Sequence, residues 1–255
     1  MTTDESVVVL KGVGKTFRDF WMRPIAQAVR GIDLEVRRGD VFGLIGPNGS
    51  GKSTTIKMIL GLMRPTKGTV RLFGLDPRNR AARARIGYLP ELSRLHPFLT
   101  AEETVMYYAG LSGMRRSEAR ERMSRLLGEI DLAKAAGRAV GGFSKGMARR
   151  VAIAAALVAS PELLVLDEPT SGLDPIGTRE IKDLIARLAG DGMTVLLTSH
   201  QLFDVQDVCN RVAVMSEGRK VGGGNVSDIV ANATDKRHAL EEYFEDRLGL
   251  GKDAL

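Results

Sequence analysis

The sequence predicts an α/β fold: a doubly wound core with a mostly parallel sheet, an antiparallel β edge at the N-terminus and an inserted helical subdomain. Three observations predict it. Segments 41–45, 163–166, 195–198 and 212–215 are continuous apolar runs, the pattern of strands covered on both faces. Helical spacings alternate with those runs from Val41 to about residue 215, as βαβ units require. Between roughly 92 and 160 no strand pattern appears, so that stretch reads as helices inserted into the core.

Along the chain, segments 7–10, 32–36 and 69–72 alternate apolar with polar residues and read as half-buried strands of the antiparallel edge. Ile56, Ile59, Leu60 and Met63 fall at i, i+3, i+4, i+7, so a helix follows the first apolar strand. The same spacing recurs at Met123, Leu126, Leu127 and Ile130, and at Ile181, Leu184, Ile185 and Leu188; Met147, Val151, Ala154 and Val158 form a similar stripe. The segment 18–30, with Phe20, Trp21 and Pro24, reads as a long connection before the next strand. After Val221 the run Gly222-Gly223-Gly224 has the composition of a hinge. Beyond it an amphipathic helix carries Leu240, Tyr243, Phe244 and Leu248. The expected organisation is therefore a main domain over 1–225, with helices inserted over about 92–160, and a helical tail over 226–255.

Bulk properties narrow the function class. Hydrophobic residues are 44% and charged residues 27% of the chain, which is ordinary for a globular protein and argues against disorder. The net charge of +6 is scattered: the densest basic stretch is Arg78, Arg80, Arg83 and Arg85, so solvated faces account for it and no nucleic acid is expected as a partner. Cys209 is the only cysteine, which excludes an intrachain disulfide and fits a reducing compartment. The first ten residues are acidic where a signal peptide is basic, and nothing approaches the ~18 consecutive apolar residues of a spanning helix.

Two constellations carry chemistry. Gly46, Pro47, Asn48, Gly49, Ser50, Gly51, Lys52, Ser53 and Thr54 satisfy G-x-x-x-x-G-K-[ST] between an apolar strand and a helix, the context that motif requires. Its glycines let successive backbone N–H groups point inward around a phosphate, and the helix N-terminus adds positive potential. Lys52 reaches the β- and γ-phosphates and the Ser53 hydroxyl is a Mg²⁺ ligand, which makes the core that of a P-loop NTPase with ATP and Mg²⁺ as cofactors. In the second, the strand 163–166 delivers Asp167 and Glu168 to the carboxyl edge of the sheet. Asp167 is suited to hold Mg²⁺ there, and Glu168 to orient and deprotonate an attacking water. Alone the carboxylate pair is a weak signal; beside a phosphate loop it is a strong one.

Here the residues carry a resemblance. Pro169-Thr170-Ser171-Gly172-Leu173-Asp174-Pro175 follows Glu168, and Thr198-Ser199-His200 follows a later strand; the order resembles the Walker B, D-loop and H-loop series of ABC ATPases. Phe143-Ser144-Lys145-Gly146-Met147 stands where that family has its L-S-G-G-Q signature. The resemblance covers about 7–220. It implies that Ser144, Lys145, Gly146 and Asp174 contact nucleotide across a head-to-tail dimer, and that His200 contacts the γ-phosphate. It also implies that Phe17, in Lys15-Thr16-Phe17, stacks on adenine, with Phe20 or Trp21 as alternatives and plain strand core as the other reading. Two departures stand out: Lys145 and Met147 replace a glycine and a glutamine, and Gly87-Tyr88-Leu89-Pro90-Glu91 ends in Glu rather than Gln. Glu91 still offers an oxygen to Mg²⁺ but donates no hydrogen bond. Both departures, and the tail 239–244, resemble the ABC-2 type exporter branch.

The resemblance further implies an ATPase paired with a second copy of itself or a homologous subunit. An integral membrane permease would dock near Leu92, Leu95, Pro97, Phe98 and Leu99, although that stripe also reads as core of the helical lobe. The location it implies is cytoplasmic, peripheral on the inner face of the membrane through the permease. The competing readings are a soluble ABC ATPase acting on nucleic acid, translation or cofactor assembly, and a P-loop kinase; the single phosphate loop argues against the translation factors, and the residues 143–147 argue against the kinase.

Overall fold

The computed structural model describes residues 6–249; the expected ends of both domains, 1–5 and 250–255, lie outside them. Two sheets share the core. β1 (Ser6–Arg18), β2 (Pro24–Arg37) and β4 (Lys67–Leu72) form an antiparallel sheet in the order β2-β1-β4. β3 (Val41–Ile45), β5 (Ile86–Leu89), β6 (Leu163–Asp167), β7 (Thr194–Ser199), β8 (Arg211–Ser216) and β9 (Arg219–Asn225) form the second, in the order β5-β6-β7-β3-β8-β9. All of its pairings are parallel except β8 with β9.

The continuous apolar runs have a direct structural reason. Along β6, Leu163 and Val165 face a core shared with the antiparallel sheet and with α1 (Lys52–Ile59), while Leu164 and Leu166 face the core shared with the helices. Every one of the four is fully buried, so a two-residue period leaves no polar position. Each such side chain contributes about 1.5–3 kcal/mol on burial, which makes these strands the stable centre of the fold.

The helical insertion consists of α3 (Ala101–Leu111), α4 (Arg116–Glu129) and α5 (Lys145–Leu157). A capping box starts α3: the Thr100 side chain accepts from Glu103 N and the Glu103 carboxylate accepts from Thr100 N. α6 (Pro175–Gly190) and α7 (Leu202–Val208) connect the remaining parallel strands, and the short α2 (Arg80–Arg83) precedes β5. In the tail, α8 (Val226–Asn232) and α9 (Ala239–Leu248) return to the core, where Val226 and Leu240 are buried. Among the described residues no helix is long and apolar enough to cross a membrane.

Three sequence expectations need correction. Segment 18–30 is not a long connection but most of a hairpin: β2 begins at Pro24, and Asp19 closes the turn by accepting from Arg23 N at 2.8 Å. Its alternation is illegible because residues 24–27 are exposed on both faces. Gly222 to Gly224 is no hinge but part of β9, paired with β8, and Tyr243 Oη accepts from Gly223 N at 2.9 Å. Gly223 is required there, since a Cβ would lie 2.5 Å from the Val212 carbonyl oxygen. Finally, α1 stops at Ile59 although its apolar stripe runs to Met63. Gly61 adopts a left-handed conformation (φ 69°) packed on Pro77, and ends the helix.

At the opposite edge of the sheet from the strand C-termini, Glu162 joins the layers. It accepts from Arg85 Nη2 at 2.8 Å and from Arg38 Nη2 at 3.0 Å, and the Arg85 guanidinium lies 3.7 Å over the Phe73 ring. Hydrogen bonds from Arg85, reinforced by Arg38, hold its pKa at about 2 rather than 4.5. A folded-state pKa below the unfolded value stabilises fully above 4.5, and the contribution is lost as pH falls through that interval. Urea midpoints of the wild type are therefore expected to fall more steeply from pH 5 to 2 than those of Glu162→Gln; parallel curves would show the pair contributes nothing.

Candidate nucleotide site

Three neighbouring parallel strands end at one edge of the sheet, and each delivers one part of the site. β3 leads into the loop 46–51, β6 ends in Asp167 with Glu168 directly after it, and β7 between them ends just before His200. Sterics dictate the loop. A Cβ on Gly46 would lie 2.2 Å from Met215 O, and one on Gly51 would lie 2.5 Å from Ala28 O; both residues have positive φ. β8 and β2 thus press against the loop from behind and hold its backbone in shape.

Lys52 is 6% exposed; its Nζ donates to Gly46 O at 2.6 Å and to Pro47 O at 3.2 Å, and stands 4.0 Å from Glu168 Oε1. Burial pushes the ammonium below its ordinary value, opposed by the Glu168, Asp167 and Glu91 carboxylates. Glu168 is itself buried, and its other oxygen lies 2.8 Å from His200 Nδ1. Its backbone is left-handed (φ 49°), uncommon for a residue with a side chain.

Sequence reasoning missed Arg149 altogether, and it named Thr198 only as a neighbour of His200, without the role its side chain has here. Thr198 Oγ1 donates to Asp167 Oδ1 at 2.6 Å and accepts from Glu168 N at 3.0 Å. The apolar run of β7 hid it among core residues. Arg149 on α5 donates to the carbonyl oxygens of Asp167, Glu168 and Pro169 from beneath.

An open pocket of about 500 Å³ lies over the loop, lined by residues 48–54 together with Ala28, Glu91, Glu168, Ser171 and His200. Asp167 lies behind it, with its carboxylate turned to Thr198. Phe17, Phe20 and Trp21 do not line it. Phe17 is partly exposed on β1, while Phe20 and Trp21 pack edge to face at the hairpin tip, 91% and 71% exposed. Ser144, Lys145, Gly146 and Asp174 lie away from this pocket, where α5 and α6 start side by side. Ser144 caps α5 by accepting from Met147 N, Asp174 caps α6 by accepting from Gly177 N, and Gly146 packs on Gly177.

The donor set fits the groups this loop implies. Its backbone cradle and buried Lys52 suit a polyphosphate, and Ser53, Asp167 and Glu91 offer hard oxygens of the kind Mg²⁺ takes. No group of three or more His, Cys, Asp or Glu able to hold a metal occurs among the described residues.

Comparisons with known proteins agree with this geometry. A family model described as ABC transporter matches residues 29–171. The fluoroquinolones export ATP-binding protein of Mycobacterium tuberculosis is 38% identical over 95% of this chain and 79% of its own length. The Nod factor export ATP-binding protein I of Paraburkholderia xenovorans is 39% identical over 80% of this chain and 68% of its own. Among solved structures, a dimeric ATP-binding cassette in a post-hydrolysis state bound to ADP and phosphate superposes with a TM-score of 0.76 at 28% identity, covering 86% of this chain and 98% of that one. The chain belongs to the ABC transporter family, as an ATP-binding, ATP-hydrolysing subunit.

Thr198→Val keeps the shape and removes both hydrogen bonds. It is expected to lower unfolding stability by about 1–3 kcal/mol, the cost of leaving a buried carboxylate oxygen of Asp167 without its donor, while the Glu168 N–H keeps the Thr198 carbonyl. Unchanged thermal unfolding would assign the support elsewhere.

Proposed function

We propose that this subunit hydrolyses ATP with Mg²⁺ in a head-to-tail dimer, with a second copy or a homologous subunit, and so powers export through a separate membrane permease. One observation carries the hydrolytic reading. A buried carboxylate, Glu168, stands at the mouth of the phosphate loop with His200 at 2.8 Å and Lys52 at 4.0 Å.

In this reading the loop 46–54 binds the phosphates through its N–H groups, and Lys52 leaves Gly46 O and Pro47 O to meet the β- and γ-phosphates. Ser53, Asp167 and Glu91 would hold Mg²⁺, which neutralises charge on the phosphate oxygens when bound. Glu168 takes the proton of the attacking water, and His200 fixes the orientation of that carboxylate and meets the γ-phosphate. Ser144 and Lys145 at the start of α5 and Asp174 at the start of α6 are exposed, as contact with the nucleotide of a facing protomer requires, and the buried Gly146 would take part through the backbone of the same turn. Phe17 is the residue proposed to stack on the base, with Phe20 and Trp21 at the tip of the same hairpin as the alternatives. We take 1–225 as the ATPase domain with its helical lobe at about 92–160, and 226–255 as a tail whose helices α8 and α9 pack on it.

Export is supported by the names of the relatives, which include Nod factor export and linearmycin resistance proteins. The expected permease stripe divides in two: Leu95 packs against the lobe core, whereas Leu92 and Phe98 are 74% and 83% exposed. Exposed apolar groups of that size suit a partner, and a permease docked there would hold the subunit at the cytoplasmic face of the membrane. Tagged chain recovered from membranes of its source cells should carry a multi-span protein with it; recovery of none would contradict the transporter assignment.

Glu168→Gln is expected to keep ATP affinity and lower hydrolysis by about 10²–10⁴-fold, the usual contribution of a general base. Near wild-type turnover would remove Glu168 from that role. Lys52→Ala should abolish binding or turnover, and unchanged affinity and rate would contradict the phosphate-loop assignment.

A further inference from the structure

One buried cation outside the pocket ties the hydrolytic carboxylate to the rest of the subunit. Arg149 is 7% exposed and sits on the second turn of α5, just after the residues at 144–147. Its guanidinium serves two separate loops. On one side Nε donates to Pro169 O at 2.9 Å and Nη2 to Asp167 O at 3.2 Å and Glu168 O at 2.5 Å. On the other, Nη1 faces Pro90 O at 3.0 Å, Glu91 O at 2.9 Å and Ser93 Oγ at 3.0 Å. All three nitrogens are engaged, and five of the six acceptors are backbone carbonyls.

Backbone carbonyls at a strand end normally turn to water or to the next strand. Those of residues 167–169 instead converge on one fixed planar fork, which leaves the chain little freedom to rotate at Glu168. That is where rotation matters, because Glu168 occupies a left-handed conformation that its side chain disfavours. The carbonyl bond from Arg149 and the N–H bonds to Thr198 O and Oγ1 grip the peptides on both sides of that residue. Burial lowers the pKa of Arg149 from its ordinary value, against the pull of the Asp167, Glu91 and Glu168 charges.

We propose that Arg149 is a positioning residue for hydrolysis: it holds the Glu168 carboxylate where it can take the proton of the attacking water and fixes that loop to the one carrying Glu91. The proposal rests on Glu168 being the general base. Because the guanidinium is rooted in α5, a shift of that helix when its N-terminus meets a partner's nucleotide is passed directly to the base and to Glu91.

The test is a double-mutant cycle in the full chain, with ATP as ligand. Arg149→Gln and Arg149→Lys are each expected to bind ATP within about threefold of wild type but to lose about 10–100-fold in kcat, the penalty of misplacing a catalytic group by about an ångström. Lysine keeps the charge yet cannot reach both loops, so its loss separates geometry from electrostatics and covers failure of the glutamine variant to fold. In the Glu168→Gln background, single-turnover hydrolysis should fall little further when Arg149 is also replaced, since the group it positions is already gone. A merely structural arginine would produce the same fold-loss in both backgrounds. Full kcat in Arg149→Lys, or additive losses, would overturn the proposal. Wild-type turnover by Glu168→Gln alone would instead overturn the base assignment on which it rests.

Discussion

Placing an ammonium where water scarcely reaches costs several kcal/mol unless the protein supplies partners, and Lys52 organises its surroundings around that requirement. Two carbonyl oxygens of its own loop and the carboxylate of Glu168 surround it. For this to happen the loop must curl back on itself, which it does only where Met215 O and Ala28 O forbid side chains at 46 and 51. Those two oxygens come from β8 and β2, so both sheets must be in place before the loop takes its form. The parallel order of β6, β7 and β3 then brings Glu168 and His200 to the same edge.

The parts of this arrangement differ in how clearly the sequence declares them. The parallel core was legible because both of its faces are apolar, and runs such as Leu163-Leu164-Val165-Leu166 have no other economical explanation. The loop and the two carboxylates were legible because close backbone approach demands glycine, and hydrolysis demands charge at a strand end. Most of the hairpin over 18–30 was not, since a ribbon wet on both faces leaves no periodic signature. Nor was β9, whose glycines resemble a flexible segment until Tyr243 and the close approach of Val212 are seen. Arg149 stayed hidden because it acts on backbone carbonyls that carry no residue identity, and Thr198 was legible only as a neighbour of His200, because its bonds to Asp167 and Glu168 span some thirty residues.

The departures from the signature motif become intelligible from packing. Met147 faces inward and packs against the apolar core of the helical lobe, so a long flexible hydrophobe suits that position. Lys145 is exposed, and its ammonium reaches towards Gly172 in the turn before α6. The backbone around Ser144 and Gly146 is set by the cap and by the close contact with Gly177, neither of which depends on a glycine at 145.

The single thiol of the chain lies beneath β3, where a Cβ on Gly43 would come within 3.1 Å of the Cys209 sulfur. Burial raises its pKa and suppresses the thiolate on which alkylation and disulfide exchange depend. In the folded state this thiol is therefore shielded from maleimides and from disulfide exchange. A cysteine introduced at an exposed position such as Phe98 would be the sole exposed thiol, so thiol-directed spectroscopic reporters can be attached without first removing anything from the core.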